Sequence, residues 1–299
     1  MIYIIKTFDV EKSPYISELY ADSQVVSFEM FPPKKADDIA ALEGSLTQIA
    51  GLNPDFISVT CGAGGSGNSE RTIEIASRIQ REHGIHSLAH VTCVGAAAGG
   101  IAESLDIIYE NGIRNVLALR GDLPDGSAVG DFCYAYEMIE AVKARGDFCI
   151  GAACYPEGHI TCGSAEENLA HLLRKEESGA DFFVSQLFFD NEIFFRFLDD
   201  ARHFGVTKPI SAGVMPILSR AQIEKMIFMC GASLPSGIIK LLHKYEGSPD
   251  DLRRAGIEYA ARQLAGLLEG GADGIHVYTM NRPDIAAYCM EYLGLGEKG

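Results

Sequence analysis

The stretch Val25-Val26-Ser27-Phe28-Glu29-Met30-Phe31-Pro32-Pro33 sets the pattern that decides the fold of this 299-residue chain. It is a short apolar run that ends in prolines, as a buried β-strand does where it meets a loop. Glu29 is a lone carboxylate inside this run. Because burial disfavours the charged form, a carboxyl held there tends to have a raised pKa and can donate a proton near neutral pH. A glutamate at a strand end that points to water is the plainer interpretation of this segment alone.

Seven further apolar runs repeat this pattern along the chain. They are rich in Val, Ile and Phe, and most end at Gly, Pro, Asp or Asn. Their near-continuous hydrophobicity is typical of strands buried on both faces of a parallel sheet. The eight predicted strands are Val25–Met30, Phe56–Thr60, Ser87–Cys93, Asn115–Leu119, Phe148–Cys154, Phe182–Phe188, Ile210–Met215 and Gly274–Thr279.

Amphipathic stretches with helical periodicity separate these strands. Eight strands, each followed by a helix, predict one α/β domain over residues 1–299, a (β/α)8 TIM barrel with an N-terminal helical arm at Ser13–Leu19 and extra helices between strands seven and eight. An open doubly wound sheet is the rival fold. The predicted helices are Asp37–Ala50, Ser69–Glu82, Gly100–Asn111, Tyr134–Arg145, Ala165–Ser178, Asn191–Phe204, Arg220–Cys230, Pro235–His243, Pro249–Glu269 and Arg282–Leu293.

The glycine-rich loop after strand two matches a dinucleotide fingerprint only in part. Gly62-Ala63-Gly64-Gly65-Ser66-Gly67 has the glycine spacing, but the next strand ends His90-Val91-Thr92-Cys93 instead of in an acidic residue. We therefore interpret the glycines as a flexible loop at the barrel mouth, where backbone comes close to a ligand.

Composition excludes several classes of function. The net charge of −16 disfavours a nucleic-acid-binding surface. No apolar run approaches the ~20 residues that span a membrane, and the start lacks the layout of a signal peptide, so a cytoplasmic location is expected. None of the eight cysteines forms a CxxC pair, and the chain has no His-rich ligand motif, so we expect reduced cysteines and no metal site.

Polar side chains gather where the predicted strands end. In a barrel the active site is built from these carboxyl ends and the loops that follow them, so the clustering predicts an enzyme. Taken singly, His90 could be a core histidine, Arg120-Gly121-Asp122 a surface turn, and Arg174-Lys175 a pair of cations at a helix C-terminus instead of a phosphate site. The polar residues at strand ends are Glu29, Thr60, His90, Thr92, Arg120, Asp122, Tyr155, Glu157, His159, Gln186, Asp190, Tyr278, Asn281 and Arg282.

Seven segments, in this order and spacing, resemble the methylenetetrahydrofolate reductase family of flavoproteins in its bacterial, catalytic-domain form. The resemblance runs from about Ser27 to about Leu293. It is carried by Phe28–Pro33, Ser58–Gly64, His90–Cys93, Leu119–Asp122, Ala153–His159, Gln186–Asp190 and Tyr278–Arg282.

The resemblance implies a (β/α)8 barrel that reduces 5,10-methylenetetrahydrofolate to 5-methyltetrahydrofolate, with non-covalent FAD as cofactor and NADH or NADPH as electron donor. It implies that Glu29 is the acid that helps open the imidazolidine ring of the folate, and that Asp122 lies near the flavin and the folate as a second catalytic residue. It implies FAD contacts at Thr60, Ala63, His90, Leu119, Arg120, Gly121, Asp122, Ala135, Tyr155, His159, Asn168, His171, Arg174 and Lys175. It implies folate or nicotinamide contacts at Gln186, Gln222, Tyr278 and Arg282.

Four positions depart from the family pattern. Asn168 stands where an aspartate is common, His171 where an asparagine is common, Cys61 where a tyrosine is common, and Met226 where an aromatic residue covers the nicotinamide in some members. The last change keeps open a ferredoxin or iron–sulfur partner protein as electron donor.

Two further alternatives concern function, and one expectation concerns assembly. The chain could be a flavin-free pterin-binding barrel that transfers a methyl group, or a non-catalytic subunit of a one-carbon complex. The family is often oligomeric. We expect a homo-oligomer, for which exposed apolar side chains at Phe194, Phe195 and Phe197 on an outer helix would be suited.

Overall fold

Eight parallel strands close into a barrel in the order of the chain, and β8 pairs with β1 to complete the ring. This computed structural model describes residues 14–33, 39–61, 69–121 and 130–295. The predicted (β/α)8 TIM barrel is confirmed. The strands are β1 (Val25–Met30), β2 (Phe56–Val59), β3 (His86–Thr92), β4 (Asn115–Leu119), β5 (Cys149–Cys154), β6 (Phe182–Ser185), β7 (Ile210–Val214) and β8 (Gly274–Tyr278).

Helices follow the strands and cover the outside of the ring. Three of them, α7 to α9, lie between β7 and β8, as the sequence predicts. No helix in the described ranges has both the length and the apolarity needed to cross a bilayer. The helices are α1 (Ile39–Ala50), α2 (Ser69–His83), α3 (Ala98–Glu110), α4 (Ala135–Arg145), α5 (Ala165–Glu177), α6 (Asn191–Phe204), α7 (Arg220–Cys230), α8 (Ser236–Lys244), α9 (Pro249–Glu269) and α10 (Pro283–Tyr292).

A short 3-10 helix at Ile16–Ala21 closes the amino-terminal end of the barrel. The sequence predicts an N-terminal helix at Ser13–Leu19; the observed one begins later, and Ser13 lies outside the described residues. The buried Asn115 holds it, because its Oδ1 accepts from the Ile16 amide (2.9 Å) and its Nδ2 donates to the Pro14 carbonyl (2.9 Å). The base of the barrel is thereby sealed, and the open end is the carboxyl end.

Strand β6 is shorter than predicted, since it ends at Ser185 and not at Phe188. The Ser185 hydroxyl donates to the Gln186 carbonyl (3.0 Å) and accepts from the Gly213 amide (2.8 Å). The Gln186 Oε1 accepts from the Leu187 amide (2.9 Å). Local bonds from side chain to backbone thus replace the strand ladder at this point.

The apolar residues on α6 are not exposed, so that expectation was wrong. Phe194 is fully buried, Phe197 is buried, and Phe195 packs half-buried against the core. One face of α6 therefore packs against the barrel through its phenylalanines. The exposed large apolar side chains of the α7–α8 region are Phe228, Met229 and Ile239.

Two helix glycines give a matched test of how tightly the helices pack on the barrel. A Cβ at Gly256 in α9 would lie 1.9 Å from the Ile217 carbonyl oxygen, whereas a Cβ at Gly44 in α1 would meet nothing within 4 Å. We expect Gly256→Ala to lower the free energy of unfolding by roughly 1–3 kcal/mol through overpacking. Gly44→Ala should raise it by up to about 1 kcal/mol through helix propensity. Urea denaturation followed by circular dichroism measures both, and equal effects would contradict the packing described.

Candidate active site

The carboxyl ends of the strands meet at one rim of the barrel. Glu29 on β1 is in register with Ser58 on β2 and with Tyr278 on β8. The amide of Thr60 donates to the Met30 carbonyl (2.9 Å) and extends the β1–β2 pairing by one residue. The rim is the end at which (β/α)8 enzymes build their active sites. Glu29 lies on this rim, and its side chain does not point into solvent as a plain strand-end glutamate would.

Two buried imidazoles flank the Glu29 carboxyl, whose side chain is 19% exposed. Its Oε2 lies 3.8 Å from Nε2 of His90 and 3.6 Å from Nε2 of His276. The Thr279 hydroxyl donates to the Glu29 carbonyl oxygen (2.7 Å) and fixes the backbone at this strand end. The carboxyl is therefore held by its strand in a pocket with limited access to water.

His90 is uncharged at neutral pH. Its burial lowers its pKa to about 4; the nearby His276 adds to that effect and Glu29 opposes it. The His90 Nε2 atom is buried and has no hydrogen-bond partner in the described part of the chain. A buried polar atom of this kind usually has a partner, so His90 fits a site that a polar ligand completes.

A cleft opens at the same rim, between β4, β5, α4 and α5. It brings together eight of the predicted cofactor residues, which are Leu119, Arg120, Ala135, Tyr155, His159, Asn168, His171 and Lys175. Residues far apart in sequence thus form one concave surface.

Lys175 supplies a positive charge to the wall of the cleft. Its Nζ donates to the Ala153 carbonyl (2.7 Å) and lies 5.3 Å from the centre of the Tyr155 ring. Burial lowers its pKa to about 8, and the neighbouring Arg120 adds to this effect. A partly desolvated cation of this kind is suited to an anionic ligand group.

Asn168 shapes the loop that follows β5. Its Nδ2 donates to the Tyr155 carbonyl (3.0 Å), and its Oδ1 accepts from the His159 amide (3.4 Å). The Tyr155 and His159 rings meet edge to face with centres 4.7 Å apart. The buried amide side chain therefore holds both ends of the loop that forms one side of the cleft.

His171 belongs to a stacked ledge, Tyr134–Tyr136–His171, along the cleft. Its ring lies 5.3 Å from that of Tyr134 and 6.2 Å from that of Tyr136, and the two tyrosine rings stack at 5.0 Å. Tyr134 is exposed. The ledge is a flat surface on which a planar ring can stack.

Gly121 allows the turn that leaves β4. Its φ is +83°, and a Cβ there would lie 3.1 Å from both the Thr92 Cβ and the Val94 Cγ1 atoms. Only glycine combines this backbone with so close an approach of β3.

Other predicted residues lie away from the cleft or outside the described residues. Arg174 is not among the residues that line it, because its guanidinium points outward to the Glu140 carboxylate (2.9 Å). Ala63 and Asp122 lie outside the described residues, so their predicted contacts stay predictions.

The predicted substrate residues lie at the β6–β8 side and engage the protein itself. The Tyr278 hydroxyl donates to the Ser185 carbonyl (2.9 Å), next to the half-buried Gln186. The Gln222 Oε1 accepts from the Leu218 amide (2.7 Å), and Arg282 pairs with Asp284 (3.3 Å). Gln222 and Arg282 thus have local structural partners.

Sequence reasoning missed His276, the ledge tyrosines, and Thr161 and Cys162, which also line the cleft. A signal for His276 is present in β8, where Gly274, His276 and Tyr278 alternate with Ile275 and Val277 and so share one face. Which face points inward is set only when the barrel closes.

The fold and the position of its polar rim define a (β/α)8-barrel enzyme. The chain belongs to the methylenetetrahydrofolate reductase family, whose model matches residues 15–294. It is 33% identical to 5,10-methylenetetrahydrofolate reductase of Pectobacterium carotovorum and 32% identical to that of Escherichia coli, in each case over 90% of both chains. It is 35% identical to methylenetetrahydrofolate reductase (NADH) 1 of Zea mays over 91% of this chain and 48% of that protein, so it spans about half the length of this plant relative.

Among solved structures, the fold is similar to that of a Clostridium thermocellum protein described as binding two copies of 5-methyl-5,6,7,8-tetrahydrofolic acid. The TM-score is 0.64 at 14% identity, over 93% of this chain and 97% of the other. At this identity the likeness shows the barrel fold alone.

The titration of Lys175 tests the electrostatics of the cleft. We expect its ammonium group to lose its proton near pH 8, because burial destabilises the charged form. NMR titration of lysine-labelled protein, with the resonance assigned by its loss in Lys175→Arg, measures this. A midpoint at the ordinary lysine value of about 10.4 would show that the amine is solvated.

Proposed function

We propose that the chain catalyses the reduction of 5,10-methylenetetrahydrofolate to 5-methyltetrahydrofolate with FAD as cofactor. The observation that carries the proposal is the presence of two sites at one rim: a carboxyl between two buried imidazoles, and a cleft that holds a partly desolvated cation. Family membership and the bacterial relatives, matched over 90% of their length, support the same reaction.

The cleft residues fit FAD. Lys175 and Arg120 offer positive charge to a diphosphate, and the ledge Tyr134–Tyr136–His171 offers a surface for a planar ring. The buried His90 Nε2 atom has no hydrogen-bond partner among the described residues, and a polar ring atom would provide one. Bound there, FAD would supply the hydride that reduces the folate.

Glu29 is proposed to donate the proton. It would protonate the N10 nitrogen of the folate and open the imidazolidine ring, which leaves a methylene carbon able to accept hydride. The pocket suits this task because His90 carries no charge near neutral pH and so does not draw the proton off the carboxyl as a cation would. The resemblance to the family supports a further set of residues that would orient or stabilise the substrates: Asp122, Gln186, Gln222, Tyr278 and Arg282.

NADH is the proposed electron donor, since the plant relatives are named for it. The relatives are named as reductases, so the alternatives of a ferredoxin-fed or non-catalytic subunit find no support. A cytoplasmic location and a homo-oligomer stay predictions.

Glu29→Gln tests the function and the acid together. The amide keeps the shape but cannot donate the proton, so we expect methylenetetrahydrofolate reduction to fall by at least about 10²-fold. Reduction of the flavin by NADH should persist, because it needs no acid at this position. Stopped-flow absorbance of the flavin separates the two half-reactions. Glu110→Gln, an exposed carboxyl on α3, is the control. Wild-type protein that NADH reduces but folate does not reoxidise would refute the proposed reaction.

Lys175→Met tests the placement of FAD. Loss of a charged hydrogen bond should weaken FAD binding by about tenfold or more. In wild type, affinity should fall as pH rises through about 8, because the free amine then loses the charge that the diphosphate needs. The variant should lack this pH dependence. Quenching of flavin fluorescence on titration of apoprotein measures both, with the exposed Lys143→Met as control. Unchanged affinity in Lys175→Met would place FAD elsewhere.

A further inference from the structure

A second layer of polar residues lies directly below Glu29, inside the barrel. His276 is 1% exposed and stacks on Phe56 with ring centres 6.0 Å apart. Its Nδ1 lies 2.8 Å from the Ser27 hydroxyl oxygen, and its Nε2 lies 3.5 Å from the Ser58 hydroxyl oxygen. Neither serine is exposed. The imidazole is thus fixed in orientation, with one nitrogen turned to Ser27 and the other toward Glu29.

Ser27 determines which nitrogen of His276 carries the proton. A hydroxyl has one hydrogen to donate, and that of Ser27 goes to the Ile275 carbonyl oxygen (3.1 Å). With that hydrogen on the carbonyl, the Ser27 oxygen accepts at 2.8 Å from Nδ1–H of His276. In the neutral imidazole the other nitrogen, Nε2, then carries a lone pair.

This lone pair faces both the Ser58 hydroxyl, 3.5 Å away, and the carboxyl of Glu29, 3.6 Å from Oε2, and both distances are at or beyond the limit of a hydrogen bond. Such distances in a free enzyme often shorten once substrate is bound. An ionised Glu29 would set its negative charge against that lone pair. A protonated Glu29 can instead donate its O–H to Nε2.

The other titratable groups that face Glu29 do not offset this preference. They are His90 on β3, Cys61 after β2 and Tyr278 on β8. Burial lowers the pKa of His90 to about 4 and raises the pKa values of Cys61 and Tyr278, so all three are neutral near pH 7. No lysine or arginine of the described residues forms an ion pair with the carboxyl; its partners within 4 Å are the two imidazoles.

We propose that His276, oriented by Ser27, is a positioning residue that keeps the proton on Glu29 until the substrate takes it. The inference rests on the proposed function for its role in turnover. The proton leaves Glu29 for the substrate nitrogen and forms the N–H bond there. After product departs, one proton from solvent restores the carboxyl, so the cycle balances.

Ser27→Ala tests the proposal with the imidazole left in place. Without the hydroxyl, the ring can adopt the Nε2–H tautomer, which donates to the Glu29 carboxylate and stabilises the ionised form. We expect the pH above which the folate half-reaction slows to drop by about one unit, which is roughly a tenfold loss of rate on the alkaline side. The rate should recover at lower pH, and flavin reduction by NADH should not change.

Two measurements on the free protein do not depend on activity. ¹⁵N NMR of histidine-labelled protein should show His276 protonated at Nδ1 in wild type and at Nε2 in Ser27→Ala. ¹³C NMR of labelled glutamate should show Glu29 protonated to a higher pH in wild type than in the variant. Ser211→Ala, another buried serine, bonded to Tyr20 at the base of the barrel, is the control and should resemble wild type in all readouts.

The outcomes separate the two proposals. A wild-type His276 with its proton on Nε2, or a Glu29 titration that Ser27→Ala leaves unchanged, would overturn the inference whatever the enzyme catalyses. If the wild-type protein fails to reduce methylenetetrahydrofolate, the proposed function fails, and the two NMR measurements still decide whether His276 controls the proton on Glu29. Flavin content and the thermal unfolding midpoint confirm that Ser27→Ala is folded.

Discussion

Pairing between the first and last strands is the constraint on which the site depends. The register runs from Val25 opposite Gly274 to Glu29 opposite Tyr278. A side chain at Gly274 would place its Cβ 2.5 Å from the Ser211 hydroxyl oxygen and 2.7 Å from the Val25 carbonyl oxygen. Only glycine therefore lets β8 lie between β1 and β7 at this point. Without closure, Glu29 and its neighbours on β8 would lie at opposite edges of an open sheet.

Closure also produces a gradient of polarity inside the barrel. The base is filled by large apolar side chains such as Phe56, Leu88 and Phe182, each of which stabilises the fold by roughly 1.5–3 kcal/mol on burial. The rim holds Glu29 and His90, whose burial costs free energy unless they find partners. The apolar base offsets this cost, and the His90 Nε2 atom, which has no hydrogen-bond partner in the described ranges, is available to a ligand.

Much of the architecture could be predicted because strand period and helix period are local properties. The observed β1 and β4 have the predicted bounds, and Glu29 lies at the rim as expected. Side-chain contacts that depend on tertiary packing could not be predicted in this way. Arg174 and Lys175 are adjacent on α5 and differ by about 100° around the helix. The sequence does not determine which of the two faces the cleft. In the folded protein, packing turns Lys175 inward and Arg174 toward Glu140. His276 went unnoticed because Ile275 and Val277 make β8 look like an apolar run.

The cation of the cleft and the carboxyl of Glu29 lie on different sides of the barrel, and this separation suits the different tasks of the two sites. A cation near Glu29 would favour its ionised form and weaken it as an acid. Lys175 is bonded to Ala153 on β5, and in a ring of eight strands β5 stands opposite β1. The cation suited to an anionic ligand is therefore on the side of the barrel opposite the carboxyl, and two buried imidazoles occupy the space beside Glu29. One fold can thus hold a proton donor and an anion site together, because the closed ring separates them while both open at the same rim.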